Sequence, residues 1–162
     1  MQWSKLKSRI KSLMCPELED VIDFHVTRYR KAHSWVSESW ITVNGKRVFD
    51  CGSRTYARES AYEFLAHMET PGNEVERSGE WNLKEVLNRR EVHEPRYMGD
   101  GLRAYLDLSI DQALVSNNPF IRAFAIVDRR VGKQRLQKLR IEDEEHSLVR
   151  VFYDLRRASL HI

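Results

Sequence analysis

His25 and Thr27 have the residue types and the spacing of a catalytic element. They alternate in an extended segment, so both side chains point to the same side of the chain. Phosphate-ester hydrolysis can use two facing H-x-T elements, in which histidine acts as acid and base and threonine binds phosphate. This sequence has one such element. The pattern therefore favours an ordinary hydrogen-bonded histidine over a catalytic one, and catalysis stays as a third hypothesis.

A second set of residues is suited to binding anions. Seven basic residues lie between Pro119 and Ile141, and one acid, Asp128, lies among them. If the segment is one helix up to Arg140, four of the cations fall within about 40° of each other. These four residues are Arg122, Arg129, Lys133 and Arg140. Such a row can follow a phosphate backbone or pair with an acidic protein surface, and the alternative is an ordinary solvated face.

Three other charged residues are candidates for anion binding or for an ion pair. Arg28 and Arg30 lie on the strand face opposite His25 and are lesser candidates for anion binding. Asp128 projects near the apolar side of the predicted helix. Because a buried carboxylate needs a partner, we predict that Asp128 is ion-paired within the fold, and that replacing it by alanine is destabilising.

Several well-known site patterns are missing from the sequence. It has no Walker A, G-x-G-x-x-G or G-x-S-x-G motif. Its six histidines include no H-E-x-x-H, and no Cys–His cluster is present. We therefore predict no metal and no cofactor, and we expect a binding protein rather than an enzyme.

Length and composition favour one domain over residues 1–162. The chain has 27 Lys and Arg against 24 Asp and Glu, a net charge of +3, which alone does not indicate nucleic-acid binding. No apolar run approaches the roughly 20 residues of a membrane helix. The basic N-terminus lacks the apolar stretch of a secretory signal. With two isolated cysteines, Cys15 and Cys51, these features predict a cytoplasmic protein with reduced thiols.

Periodicity predicts the elements that position these residues. A helix over 4–15 ends at Pro16, and a half-buried strand covers 20–31. Asn44-Gly45 predicts a two-residue hairpin that pairs Val43 with Lys46, Thr42 with Arg47, Ile41 with Val48 and Trp40 with Phe49. Helices are expected after Gly52, from Asn82, over 102–114, over 119–140 and over 144–159. Gly132 is a position at which the helix over 119–140 can break or kink. The predicted fold is α+β: an N-terminal helix and a three-stranded antiparallel meander packed against four or five helices.

Four stretches resemble a family of small bacterial proteins of uncharacterised function. They are 3–6 (WSKL), 25–31 (HVTRYRK), 40–46 (WITVNGK) and 118–136 (NPFIRAFAIVDRRVGKQRL). The resemblance implies a bacterial, cytosolic protein and carries no activity.

Three hypotheses about function remain open at this stage. The first is a non-enzymatic module whose basic helix binds an anionic partner, with nucleic acid as the simplest case. The second is a protein-binding immunity or defence-associated protein. The third is a phosphoesterase-like enzyme that uses His25 and Thr27. The sequence does not indicate an oligomeric state.

Overall fold

The computed structural model describes residues 2–29, 36–69, 82–142 and 145–162. Three strands and nine helices lie within these ranges. The strands are β1 (Ile22–Tyr29), β2 (Val36–Val43) and β3 (Lys46–Asp50). The helices are α1 (Trp3–Lys11), α2 (Pro16–Glu19), α3 (Ser53–Glu69), α4 (Leu83–Arg89), α5 (Tyr97–Asp107), α6 (Ile110–Leu114), α7 (Pro119–Ile126), α8 (Lys133–Lys138) and α9 (Ser147–Ser159). The predicted α+β class is confirmed.

The sheet is an antiparallel meander in the order β1-β2-β3. β1 pairs with β2 from Ile22 opposite Val43 to Tyr29 opposite Val36. Alternate residues point to opposite faces, so Ile22 and Phe24 are fully buried while His25 stays partly exposed. The inner face thus belongs to the core, and the outer face carries polar side chains.

The hairpin turn forms as predicted, because both Asn44 (φ 50°) and Gly45 (φ 75°) adopt positive φ. The pairs Thr42–Arg47 and Val43–Lys46 are confirmed. The other two predicted pairs, Ile41–Val48 and Trp40–Phe49, are wrong. A bulge shifts the register by one, so that Ile41 lies opposite Phe49 and Trp40 opposite Asp50. The shift turns the Phe49 ring to the core side together with Ile41.

The turn yields a test of backbone strain. Gly45→Ala should lower the free energy of unfolding by about 1–2 kcal/mol, because an L side chain at positive φ is strained. An added Cβ at Gly45 meets nothing within 4 Å, so the cost comes from the backbone alone. Gly99→Ala, inside α5, is the matched control and should be neutral or stabilising. Urea unfolding of both variants makes the comparison, and equal effects would contradict it.

α7 is the centre of the core. Six of its eight residues are buried, and Asn118 caps its N-terminus by accepting from the N–H groups of Phe120 and Ile121. Phe124 makes edge-to-face contacts with Phe24 of the sheet and Phe152 of α9. The predicted Asn-Pro helix start is therefore confirmed, and α7 joins the sheet to the last helix.

A continuous helix from Pro119 to Arg140 is wrong, whereas the break that Gly132 allows is present, since Gly132 is the N-cap of α8. α7 ends at Ile126, and α8 begins at Lys133. Between them Asp128 forms an antiparallel bridge with Met14. The backbone here pairs with the N-terminal segment, which takes the hydrogen bonds that a continuing helix would need.

Two other helix predictions are corrected in the same way. The expected helix over 102–114 divides at Ser109, which caps α6 through a reciprocal capping box with Gln112. α1 ends at Lys11, and Pro16 stands at the first position of a new short helix instead of only ending the old one.

Candidate functional site

Asp128 lies at the centre of a buried hydrogen-bond cluster. Its side chain is fully buried. Arg130 donates to it three times: from Nε (2.9 Å) and the backbone N–H (2.8 Å) to Oδ1, and from a terminal nitrogen to Oδ2 (2.7 Å). The Tyr105 hydroxyl donates to Oδ2 as well. The predicted ion pairing of Asp128 is thus confirmed, with Arg130 as the partner.

The cluster keeps Asp128 ionised. Burial alone would raise its pKa, but the hydrogen bonds from Arg130 and Tyr105 outweigh burial and hold the pKa of this carboxyl below its ordinary value. Burial and the adjacent carboxylate raise the pKa of Tyr105. Near neutral pH, Asp128 is therefore ionised and Tyr105 keeps its proton. Arg130 is accordingly a structural cation.

Arg122, a member of the predicted basic row, also has partners inside the fold. One of its terminal nitrogens lies 2.6 Å from Glu145, and the other donates to the Arg140 carbonyl at 3.2 Å. It ties α7 to the chain that precedes α9. The predicted row of Arg122, Arg129, Lys133 and Arg140 on one helix face therefore does not exist, because Arg122 lies on α7 and the other three lie beyond its end.

The structure joins the two most basic segments of the chain instead. Residues 3–11 hold four cations and no acid, and residues 129–140 hold six cations and no acid. Val127 O accepts from the Cys15 N–H, and Leu13 O accepts from the Arg129 N–H, both at 2.9 Å. Because of this bridge, Leu13, two residues beyond the end of α1, lies directly beside Arg129, and α8 begins four residues later.

Six of these ten cations are exposed and make no ion pair or side-chain hydrogen bond within the described residues. We call this set the basic corner: Lys5, Arg9, Arg129, Lys133, Lys138 and Arg140. The other four have carboxylate partners. Lys7 and Lys11 pair with Asp23, Arg130 with Asp128, and Arg135 with Asp111.

His25 lies on the outer face of the sheet. Its ring stacks on Trp40 with centroids 5.0 Å apart, and the Arg47 guanidinium lies 4.3 Å from the Trp40 ring. The His25 Nε2 is 3.4 Å from both Asp23 Oδ2 and Thr42 Oγ1. A Ser-His-Asp type of triad needs the carboxylate and the hydroxyl on different ring nitrogens, so these contacts are not those of a triad.

The remaining sequence candidates are not brought to this histidine by any described contact. Thr27 is half-buried and faces Glu38 in the register. Arg28 belongs to β1, but its side chain lies outside the described set, and so does all of Arg30.

His93, which is buried, and His146, which is half-buried, form a pair that sequence reasoning missed. Their Nε2 atoms are 3.0 Å apart, and the Nδ1 of His93 lies 3.0 Å from Asn88 Oδ1. The Leu148 N–H donates to the Nδ1 of His146, which caps α9. These contacts fix both tautomers: His146 donates from Nε2, and His93 accepts there and donates from Nδ1 to Asn88. Nothing in the sequence links two histidines 53 residues apart.

Burial lowers the pKa of both histidines, for His93 to about 4. Each ring nitrogen of the pair already donates or accepts one hydrogen bond, and an extra proton would turn an acceptor into a donor. Glu91, which lies 3.8 Å from His146, opposes this shift in His146. The pair is therefore neutral near pH 7 and stabilises the start of α9.

The two cysteines are free and buried. Burial raises the pKa of the Cys51 thiol to about 12, and it raises that of Cys15. Both thiols are therefore protonated and unreactive near neutral pH.

Comparison with known protein families places the chain in one of them. A family model covers residues 2–157 of the 162-residue chain. The chain belongs to the SF0329 protein family. No curated protein and no solved structure matches the chain.

The span matched to the SF0329 family includes both halves of the basic corner. It also includes the Asp128 cluster and the histidine pair. Two further findings concern the residues and helices that the structure describes. No three His, Cys, Asp or Glu side chains gather as metal ligands there, and none of those helices is long and apolar enough to span a membrane.

Proposed function

We propose that this protein is a cytoplasmic, non-enzymatic binding module whose basic corner binds nucleic acid. One observation carries the proposal: the backbone bridge between Met14 and Asp128 joins two basic segments that are far apart in sequence. Together the two segments carry six exposed cations with no carboxylate partner among the described residues. Polyphosphate backbones bind such surfaces by displacing condensed counterions.

The pairing of the other cations supports this assignment. Arg122 and Arg130 are bound to buried or half-buried carboxylates and hold the fold together. Arg129, next to Arg130 in sequence, has its backbone fixed by Leu13 while its side chain stays exposed. A fixed backbone with an exposed cationic side chain is suited to contacting phosphates, because little backbone freedom is lost on binding.

The proposal predicts a specific loss of affinity. Arg129→Gln/Lys133→Gln should weaken binding to a fluorescein-labelled mixed-sequence DNA duplex about tenfold or more at low salt, since two phosphate contacts are removed. Fluorescence anisotropy measures the dissociation constant. The matched control is Lys84→Gln/Arg89→Gln on α4, which removes the same charge from exposed ion pairs of another element. The control should bind like the wild type.

Two results would overturn the proposal. One is equal affinity of both double variants, which would show that net charge alone drives binding. The other is the absence of binding to duplex DNA and to single-stranded RNA by the wild type. If the wild type instead retains one stoichiometric protein through nuclease treatment, the chain is a protein-binding module, as the immunity hypothesis requires.

A further inference from the structure

α3 exposes an apolar face that the described residues leave uncovered. Its apolar residues recur at helical spacing, as they do on a helix that faces a core, but α3 has no buried residue. Phe64 is 52%, Leu65 55% and Met68 51% exposed. Monomeric proteins seldom expose large apolar side chains so close together, and such patches mark interaction sites.

The orientation of α3 is fixed by its other side. Arg90, at the end of α4, donates to Glu59 at 3.1 Å and also to Glu63. The Ser53 hydroxyl donates to the Ser37 carbonyl of β2 and accepts from its N–H, both at 3.0 Å. These contacts hold the polar side against the protein. The apolar face, an arc of about 100°, therefore points away from it. We call this set the α3 face: Ala57, Ala61, Phe64, Leu65 and Met68.

The charges at the two ends of α3 indicate what covers this face. Arg54 lies in the first turn, and Glu69 is the last residue of the helix. Both are exposed. Two copies of α3 packed in parallel would place like charges together. Two copies packed antiparallel place Arg54 of each beside Glu69 of the other, and their helix dipoles oppose favourably.

We propose that a second copy of this chain covers the α3 face, through an antiparallel α3–α3 contact with two-fold symmetry. The symmetry axis passes near Ala61, whose small side chain lets the helices approach closely. Leu65 of each copy then packs over Ala57 of the other, since a two-fold contact pairs residues reciprocally. A helix of 17 residues is about 25 Å long. When the two helices pack along this whole length, Arg54 and Glu69 of the two copies come within reach of each other at both ends of the contact.

The first test measures the mass of the full chain in solution. Analytical ultracentrifugation of the wild type should show a monomer–dimer equilibrium at micromolar to submillimolar concentration. Leu65→Glu should raise the dissociation constant about tenfold or more, because it forces a charge into the apolar contact. Val115→Glu is the matched control. Val115 is 77% exposed at the end of α6, and its variant should dimerise like the wild type.

The second test identifies the partner and its orientation. Arg54→Glu and Glu69→Arg should each weaken self-association, since each places like charges at both ends of the contact. Mixed together, the two single variants should form a heterodimer more tightly than either forms a homodimer. The double variant Arg54→Glu/Glu69→Arg should recover the wild-type dissociation constant.

All of these variants change exposed residues, and circular dichroism checks that they fold. A wild type that stays monomeric at every concentration would overturn the proposal, because another part of the chain or another protein would then cover the face. So would a dimer that Leu65→Glu leaves unchanged. Dimerisation in which the charge variants do not complement each other would overturn the antiparallel arrangement.

Discussion

Asp128→Ala is expected to lower the free energy of unfolding by about 3–5 kcal/mol. The carboxylate accepts hydrogen bonds from Arg130 and Tyr105, and hydrogen bonds to charged groups contribute more than neutral ones. Its removal leaves the nearly fully buried Tyr105 hydroxyl without its carboxylate acceptor and releases the loop that pairs with Met14. Urea unfolding at pH 7 measures the loss.

Asp100→Ala is the control for that measurement. It makes the same chemical change in an ion pair of 2.9 Å with Arg103, but Asp100 is 67% exposed and the pair lies on the surface of α5. Exposed pairs contribute about 0–1 kcal/mol, so this variant should be nearly neutral. A loss below about 1 kcal/mol for Asp128→Ala would show that the cluster does not hold the α7–α8 connection.

Acidification from pH 6.5 is expected to destabilise the protein through the His93–His146 pair. The pKa of His93 falls from 6.5 to about 4 on folding, so between these values the unfolded chain binds more protons than the folded one. The contribution is complete above pH 6.5 and is lost as the pH falls toward 4. By pH 5 the loss in the free energy of unfolding that comes from His93 alone amounts to about 2 kcal/mol.

His93→Gln isolates this effect from that of the carboxylates. Glutamine keeps an acceptor for the His146 Nε2–H but does not titrate. Glu91, Glu145 and Arg150 face His146 and stay in place. Unfolding free energies measured between pH 5 and 7.5 should therefore depend less on pH in the variant than in the wild type. His161→Gln, at an exposed position, should leave the dependence unchanged. Equal slopes for His93→Gln and the wild type would contradict the assignment.

Local signals predicted the fold well where they act over a few residues. Asn44-Gly45 marked the hairpin, and Asn118-Pro119 marked the start of α7, because turn and cap chemistry depends on adjacent residues. The alternation from Ile22 to Val26 identified the buried face of β1. The ion pairing of Asp128 was predictable because a carboxylate on an apolar face needs a partner.

The errors arose where distant parts of the chain compete with local preference. Helical periodicity continues past Ile126, but a backbone bridge to Met14 ends the helix there. The bridge also changes the predicted basic row, since it separates Arg122 from the other cations and places Arg129 beside Leu13, just beyond α1. The bulge in β2–β3 likewise follows from burying Ile41 and Phe49 together. No local pattern encodes these contacts.

The salt dependence of DNA affinity tests most directly whether the two basic segments form one anion-binding surface. The logarithm of the association constant of the wild type, plotted against the logarithm of salt concentration, should fall with a slope of about −3.6 to −5.4 for four to six phosphate contacts. Arg129→Gln/Lys133→Gln should reduce the magnitude of that slope by about two. A flat dependence, or the same slope in both proteins, would contradict the account.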